Sequence, residues 1–403
     1  MRDLIHRAAR STLAAAAAAA AVVVAVGAVV CAPATAAPTV VFPDGVGGLA
    51  WGGNASAQVG DGTTVNRSVP TQILRLFDGV RQVAGGTSHS LAVLADGTVW
   101  SWGESDHGAL GDGSGLDQPT PVRITALTSV KQVAAGGRHS LALKTDGTVW
   151  AWGHNNVGQV GDGTTISRTT PVQVPGITNA TQVVASSDAS FALRADGTVL
   201  AWGGNFYGQL GDGTTVAHSS PAAVPGLAGV TQVAAGRFHA LALRAPGGLV
   251  VGWGFNQHGE LGDHTNTGRL SPVPVPDIGS IIHIGAGDFF SLAVRKDRTL
   301  FSWGNNGYGE LGDDNGFSRS HALPVAGITN VSQVAAGHSF ALALRTDGTL
   351  WSWGLNSVGQ LGDGTLANHT APAKIPGLAG VRSVDAGLQH ALVVQKDPDI
   401  VLP

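Results

Sequence analysis

Histidine recurs in this sequence at multiples of about fifty residues, and imidazoles placed at one repeated position could bind a transition metal. The four members of this set are His89, His139, His239 and His390. In three further copies of the surrounding sequence the same position holds Ala189, Phe290 and Phe340. Because Phe fills space but cannot bind a metal ion, we predict that this position serves packing rather than metal binding.

Aspartate recurs in a Gly-Asp-Gly-Thr string, a composition that could supply oxygen ligands to calcium. The string, with Ser as its fourth residue in the second copy, begins at Gly60, Gly111, Gly161, Gly211 and Gly362, and its Asp persists as Asp263 and Asp313. A second adjacent carboxylate is present only at Asp314. An Asp in a Gly-rich turn usually accepts hydrogen bonds from its own backbone, so the sequence predicts turns and no metal site.

The sequence lacks the motifs of nucleophilic, phosphoryl-transfer and zinc-dependent catalysis. Its only Cys is Cys31, and it contains no nucleophile elbow, no P-loop and no His-x-x-x-His pair. His258 and His264 flank Gly259-Glu260-Leu261, but in a loop this spacing indicates no particular chemistry. We therefore predict a protein that is not an enzyme and that needs no cofactor.

The elements that carry these residues form an internal repeat. The dipeptide Trp-Gly occurs seven times at intervals of 50 or 51 residues, beginning at Trp51, Trp102, Trp152, Trp202, Trp253, Trp303 and Trp353. Fifty residues cannot cover both faces of a small sheet, so such units are stable only when they are stacked against neighbours.

Each unit is predicted to contain four antiparallel strands. In the copy at residues 130–153, Gly136-Gly137 separates a first strand from a second, and Asp146-Gly147 turns the second into a third. Trp150 and Trp152 are two residues apart, so both side chains leave the same face of that third strand. A polar Gly-rich loop then leads to the fourth strand. Leu141 and Leu143 flank a small Ala, which lets a bulky sheet face pack on the small face of the next unit.

The two ends of the chain complement each other. Residues 381–397 supply only the first two strands of a unit, whereas residues 44–54 begin at a third strand. Joining them completes one unit and leaves no open sheet edge. The sequence therefore predicts an all-β fold, a seven-bladed β-propeller of four-stranded antiparallel blades closed by its terminal strands, over residues 37–403.

The first 36 residues are predicted to be a secretory signal peptide. Arg2, Arg7 and Arg10 precede an apolar stretch from Leu13 to Val30, and small residues at Ala34 and Ala36 suit cleavage after Ala36. An uncleaved anchor helix is the alternative, since the stretch approaches the roughly 20 residues that span a bilayer. The sequence thus predicts a secreted, extracellular protein.

Charge limits the partners that this protein could have. The 403 residues include 23 Lys and Arg against 27 Asp and Glu, a net charge of −4, and the signal peptide would remove more positive than negative charge. The basic residues are spread singly along the sequence, which does not predict a nucleic-acid-binding face. We expect a soluble monomer with no membrane contact once the signal peptide is removed.

The strings DGTVWSWG, YGQLGDGT and AAGRFHALAL resemble the repeat of the regulator of chromosome condensation family, and matches extend over residues 37–403. Relatives in that family include a guanine nucleotide exchange factor, a plant UV-B photoreceptor and a secreted propeller that inhibits β-lactamases. The even intervals leave no room for the hairpin wedge of the exchange factor, and the photoreceptor's Gly-Trp-Arg-His-Thr string is absent. By predicted location, this chain is most similar to the secreted inhibitor.

Variable positions within the repeat are predicted to form a partner-binding face. The loops joining strands one and two and strands three and four leave from one end of an up-and-down blade, so they share one face of the disc. Aromatic and charged residues on this face have the composition of interface hot spots. They are His107, Arg138, His154, Asp188, Phe206, Tyr207, Arg237, Phe238, Phe255, His258, Asp288, Phe289 and Tyr308.

The predicted function is that of a secreted, non-enzymatic propeller that binds or inhibits an extracellular or cell-surface protein through this face. One alternative is a lectin or enzyme acting on cell-wall glycan, for which Asp288 and Glu260 are the candidate carboxylates. Another is guanine nucleotide exchange on a small GTPase. The aromatic rings could instead plug the central channel.

Overall fold

The computed structural model describes residues 46–396. The predicted signal peptide lies outside this range, so its cleavage remains an expectation. Among the described residues, no helix is long and apolar enough to cross a membrane.

The described chain is built of short β-strands and one 3₁₀ turn at Asp106–Gly108. The strands from the chain start to the middle are β1 (Val46–Gly52), β2 (Arg67–Gln72), β3 (Val80–Gly85), β4 (His89–Leu94), β5 (Val99–Gly103), β6 (Gln118–Arg123), β7 (Val130–Ala135), β8 (His139–Lys144), β9 (Val149–Gly153), β10 (Arg168–Gln173), β11 (Ala180–Ala185), β12 (Ala189–Arg194), β13 (Val199–Gly203) and β14 (His218–Ala223). The remaining strands are β15 (Val230–Ala235), β16 (His239–Arg244), β17 (Leu249–Gly254), β18 (Arg269–Pro274), β19 (Ile281–Ala286), β20 (Phe290–Arg295), β21 (Leu300–Gly304), β22 (Arg319–Pro324), β23 (Val331–Ala336), β24 (Phe340–Arg345), β25 (Leu350–Gly354), β26 (His369–Lys374), β27 (Val381–Ala386) and β28 (His390–Lys396).

These strands form seven antiparallel four-stranded sheets, each a blade of a propeller. Blade 1 is β3-β4-β5-β6, and blades 2 to 6 follow in the same way through β23-β24-β25-β26. The seventh blade has the order β2-β1-β28-β27, in which β1 pairs with β28 from Val46 opposite Lys396 to Gly52 opposite His390. The predicted seven-bladed fold and its closure by the terminal strands are confirmed.

The hydrophobic core lies between blades. Leu141 and Leu143 of blade 2 pack with Ala192 of blade 3, which confirms the predicted packing of a large face on a small one. The Trp at the end of each third strand is fully buried, and its indole N–H donates to a backbone carbonyl of the preceding blade, as Trp152 does to Ala109 at 2.8 Å. Neighbouring blades are therefore joined by both apolar contact and directed hydrogen bonds.

The innermost strands surround a central channel with a volume of about 300 Å³. Gln side chains of these strands reach across to the next blade: Gln132 Nε2 donates to the Val183 carbonyl at 3.0 Å, and Gln132 Oε1 accepts from the Val183 N–H at 3.0 Å. His283 and Ser383 replace Gln in blades 5 and 7. This belt holds the inner edges of neighbouring blades at a fixed spacing.

Candidate functional site

The predicted loops do share one end of the disc, which we call the loop face. Within blade 4, the Phe255 N–H donates to the Phe238 carbonyl at 2.9 Å and thereby joins the loop after strand three to the loop after strand one. His154 and Arg138 are joined in the same way in blade 2. Side chains from both loops of a blade can therefore contribute to one surface.

A buried Asn holds the loop between the third and fourth strands in six blades. In blade 3, Asn205 Nδ2 donates to Asp212, to the Thr214 carbonyl and to the Val216 carbonyl at 3.0 to 3.2 Å, while Asn205 Oδ1 accepts from the Leu210 N–H. Ser105 takes this position in blade 1. Since these bonds satisfy the loop backbone internally, the loop presents its outer side chains from a rigid frame.

The Asp of the Gly-Asp-Gly-Thr string is engaged within this frame. Asp162 accepts from the Thr164 hydroxyl at 2.7 Å and from Arg168 Nε at 2.7 Å. Burial raises the pKa of Asp162, but the hydrogen bonds from Thr164 and Arg168 outweigh it and hold the pKa below its usual value. Asp313, beside Asp314, is paired with Arg319. In residues 46–396, no group of three or more His, Cys, Asp or Glu is placed to hold a metal ion.

The four recurring His residues join neighbouring blades. His139 is fully buried, and its Nε2 lies 2.9 Å from the hydroxyl of Ser190 in the next blade. The Ser190 hydroxyl donates to the Gln159 carbonyl, so it accepts from a proton on His139 Nε2, and His139 Nδ1 has no partner among the described residues. The predicted packing role is confirmed, with a hydrogen bond that sequence reasoning missed.

A signal for this bond is present in the sequence. Wherever the repeated position is His, the next blade carries Ser, and the pairs are His89 with Ser140, His139 with Ser190, His239 with Ser291 and His390 with Ser90. Where the position is Phe or Ala, the corresponding residue of the next blade is Ala. A comparison of neighbouring repeats would have revealed this coupling.

Blades 3 to 5 bring four predicted rings together on the loop face, and we call this group the aromatic cluster. Its members are Tyr207, Phe238, Phe255 and Phe289. Ring centroids are separated by 4.8 Å between Tyr207 and Phe238, 5.2 Å between Tyr207 and Phe255, and 5.8 Å between Phe255 and Phe289. Tyr207 is 44% exposed, and the three Phe rings are half-buried against one another.

Polar side chains border the aromatic cluster. Asp288 accepts from His338 Nδ1 at 2.6 Å and lies 3.7 Å from the Arg237 guanidinium, which also covers the Phe238 ring. The hydrogen bond to Asp288 raises the pKa of His338 above its usual value. His338 is a member of this site that sequence reasoning missed, although it occupies the repeat position that holds Arg237 and Asp288 in the two preceding blades.

Glu260 lies in the loop between β17 and β18, which also carries Phe255 and His258. Its side chain is fully buried, with one carboxylate oxygen accepting from the His258 N–H at 2.9 Å and the other without a partner among the described residues. Burial raises the pKa of Glu260 to about 7. The contacts of Asp288 are to Arg237 and His338, so the structure places the two candidate carboxylates in separate surroundings.

A second group lies on blades 1 and 2. The rings of His107 and His154 stack with centroids 4.3 Å apart, and Arg138 lies 3.4 Å from Asp106, a residue that sequence reasoning did not include. Phe206 and Tyr308 are 66% and 48% exposed and make no ring contact with the aromatic cluster in the described part of the chain. The His258 ring lies 5.9 Å from the Phe289 ring, and Asp188 accepts a hydrogen bond from the neighbouring Ser187. The predicted residues other than Asp188 thus form two groups and two separate exposed rings.

The mouth of the channel opens on this face as a cavity of about 160 Å³. Glycines of the loops after the first strands line it, together with Arg237 and Asp288. No ring of the aromatic cluster is among the lining residues. The cluster therefore lies beside the mouth and not in the channel.

Comparison with known proteins decides the family. The model of the RCC1-like domain matches residues 49–281 and 117–402. The chain belongs to the RCC1-like domain family. This assignment confirms the resemblance seen in the repeated strings.

Solved structures with the same fold include two proteins at 25% identity. Prp20p from Saccharomyces cerevisiae, described with its binding properties to Gsp1p and histones, has a TM-score of 0.79 over 90% of this chain and 94% of that chain. Human WBSCR16 has a TM-score of 0.80 over 88% of this chain and 99% of that chain.

Curated relatives match over shorter segments. RCC1 domain-containing protein RUG3, mitochondrial, of Arabidopsis thaliana is 40% identical over 79 residues, which is 19% of this chain and 18% of that protein. The ultraviolet-B receptor UVR8 of Arabidopsis thaliana is 31% identical over 75 residues, which is 18% of this chain and 17% of that protein. The chain spans less than a fifth of the length of these relatives. RCC1-like propellers are largely regulators that bind proteins, although some relatives, such as human HERC2, are ubiquitin ligases.

Proposed function

We propose that this RCC1-like propeller is an exported, non-enzymatic protein that binds another protein through the loop face. The observation that carries the proposal is the aromatic cluster beside Arg237 and Asp288. Exposed or half-buried aromatic rings next to Arg have the composition of protein-interaction hot spots. The protein-binding properties described for Prp20p support the same class of function.

The rigidity of the loops supports this role. The Asn205 hydrogen bonds fix the loop that carries Tyr207, and contacts among the rings fix Phe238, Phe255 and Phe289. A preorganised surface loses less side-chain entropy on binding than a flexible one. The loop face is therefore suited to recognise a partner without rearrangement.

Export is supported by the sequence of residues 1–36. Protein recovered from the culture medium of its source should begin at Ala37, and intact-mass measurement with N-terminal sequencing would establish this. Retention of Met1 in membrane-bound protein would instead favour the anchor alternative. The result is independent of which face binds a partner.

Removal of two rings is expected to abolish most of the binding. The variant Tyr207→Ala with Phe255→Ala should weaken binding to the physiological partner at least tenfold, because each ring contributes buried apolar area at the centre of the cluster. The partner would first be isolated from extracellular proteins with the unaltered chain. Its affinity for both chains would then be measured by titration.

A matched control changes an apolar residue at the other end of the disc. Leu249→Ala removes a side chain that is 54% exposed, and it should leave partner binding unchanged. Equal weakening by both variants would contradict a site on the loop face. Capture of cell-wall glycan alone, lost with the two rings, would favour the lectin alternative.

A further inference from the structure

The net charge of the chain conceals an uneven distribution between the two ends of the disc. All three Glu residues lie in loops of the loop face, Glu104 partly exposed and Glu260 and Glu310 buried beneath the surface. All five Lys residues lie at or next to the opposite end, where first strands begin and second strands end. We call this opposite end the basic end. The repeat spaces these residues about fifty positions apart in sequence, and the fold gathers them.

Cations end the second strand in six of the seven blades. These residues are Lys144, Arg194, Arg244, Arg295, Arg345 and Lys396. Three of them cover aromatic residues of the adjacent third strand, as Lys144 covers the half-buried Trp150 with Nζ 5.6 Å from the ring centroid. The basic end therefore carries a ring of cations backed by aromatic side chains.

Further cations surround this ring. Arg81, Lys131 and Arg382 are the second residues of first strands, and Arg123 and Lys374 end fourth strands. Arg75, Lys296 and Arg298 lie in the connections at this end. The basic end thus carries fourteen cationic residues and seven Asp residues. The Asp residues are Asp78, Asp96, Asp146, Asp196, Asp277, Asp297 and Asp347.

Apolar side chains are interspersed with the cations. Ile282 occupies the same strand position as Arg81 and Lys131 and is 40% exposed. Leu249 is the first residue of β17 and is 54% exposed. Phe77 lies in the connection between β2 and β3 and is 43% exposed. A surface on which cations, aromatic rings and exposed apolar side chains alternate matches the interface of an anionic bilayer.

We propose that the basic end of the disc docks on an anionic phospholipid surface. The cations occur on all seven blades around one end of the disc, so they suit an extended plane of headgroups better than one narrow strand of phosphates. The expectation of no membrane contact rested on the net charge of the whole chain. Because positive and negative side chains are separated between the two ends of the disc, the net charge does not describe the charge of either end. Docking in this way would leave the loop face directed away from the lipid.

The test measures binding of the purified full chain to vesicles. Sedimentation with phosphatidylglycerol vesicles should give tight binding that weakens as salt rises, whereas phosphatidylcholine vesicles should give little binding beyond that of the apolar stretch Leu13 to Val30. The variant Arg81→Gln, Arg123→Gln, Arg382→Gln removes three exposed cations of the basic end. It should weaken binding to phosphatidylglycerol about a hundredfold, because each cation contributes roughly fivefold.

The matched control makes the same change in net charge on the loop face. The variant Asn156→Asp, Gln257→Glu, Ser357→Asp alters three exposed loop residues and should bind the vesicles as the unaltered chain does. Equal weakening by both triple variants would overturn the proposal, as would undiminished binding by the basic-end variant. Tighter binding to a DNA duplex than to the vesicles, lost with the same three Arg residues, would also overturn it.

The outcome is separable from that of the proposed function. The variant Tyr207→Ala with Phe255→Ala leaves the basic end intact and should bind phosphatidylglycerol vesicles normally. Loss of vesicle binding by this variant would show that the loop face contacts the lipid and would overturn the proposed orientation.

Discussion

Acidification from pH 7 to pH 5 is expected to lower the free energy of unfolding by about 3 kcal/mol. Burial lowers the pKa of His89 to about 4, and burial lowers those of His139, His239 and His390 to about 3. An unfolded His has a pKa of about 6.5. Between these pH values the unfolded chain binds protons that the folded chain does not. The stability that the four neutral His residues contribute is therefore fully present above about pH 6.5 and is lost as the pH falls.

Groups with raised pKa values oppose this trend. Burial raises the pKa of Glu260 to about 7, that of Asp385 to about 6 and that of Glu310 above its usual value, and the hydrogen bond to Asp288 raises the pKa of His338. The folded chain binds a proton at each of these groups at a higher pH than the unfolded chain does. The stability that these groups contribute is therefore lost as the pH rises. His283, with a pKa lowered by burial to about 4, acts in the same direction as the four recurring His residues. Five His residues therefore outweigh the opposing groups.

The measurement is denaturant unfolding at several pH values between 5 and 7. His139→Phe with Ser190→Ala reproduces the pairs Phe290 with Ala341 and Phe340 with Ala391 that other blades carry. This variant should reduce the pH dependence by about 1.4 kcal/mol per pH unit, the value for one proton. Val133→Ala, a buried change in the same blade, should lower stability equally at every pH. An unchanged slope in the double variant would contradict the role assigned to His139.

The substitution Gly136→Ser is expected to cost about 3 kcal/mol, at the upper end for an overpacked core. A Cβ atom at Gly136 would lie 2.6 Å from His139 Nδ1 and 2.5 Å from the Ser186 carbonyl oxygen. Blade 3 shows how the contact is relieved, because Ser186 takes the Gly position there and Ala189 takes the His position. The Gly requirement therefore arises in part from the side chain three residues later and in part from the backbone of the next blade.

The cost should fall when the whole blade 3 arrangement is copied. Gly136→Ser, His139→Ala and Ser190→Ala together reproduce Ser186, Ala189 and Ala240. Chemical denaturation would compare Gly136→Ser alone, His139→Ala with Ser190→Ala, and the triple variant. The free energies of unfolding should give a coupling energy of about 1 to 3 kcal/mol. Gly279→Ser, where a Cβ atom would meet nothing within 4 Å, should change stability by less than about 0.5 kcal/mol. A triple variant no more stable than Gly136→Ser would refute the coupling.

The fold could be predicted in full because its information is repeated. Seven copies of Trp-Gly fix the number of blades, and the incomplete units at the two ends show how the ring closes. Strand periodicity then places the two loops of each blade on one face. These inferences depend on spacing along the chain, which sequence shows directly.

The candidate site could be predicted only as a surface. Sequence placed Phe206 and Tyr207 together, but the structure turns Tyr207 toward Phe238 and Phe255 and leaves Phe206 in solvent. His338 contacts Asp288 across a blade boundary, fifty residues away in sequence. Such contacts depend on side-chain direction and on packing between blades. The same limit concealed the separation of charge, because cations spread singly along the chain converge at one end only after folding.

The pairing of β1 with β28 has a consequence for synthesis. The strand from Val46 to Gly52 is made among the first and finds its partner only when Lys396 has been made. Until then the nascent ring stays open, with an unpaired strand edge and the Trp51 side chain lacking its full surroundings. The ring therefore cannot close before β28 has been made, and a chain halted earlier would remain a substrate for chaperones and proteases.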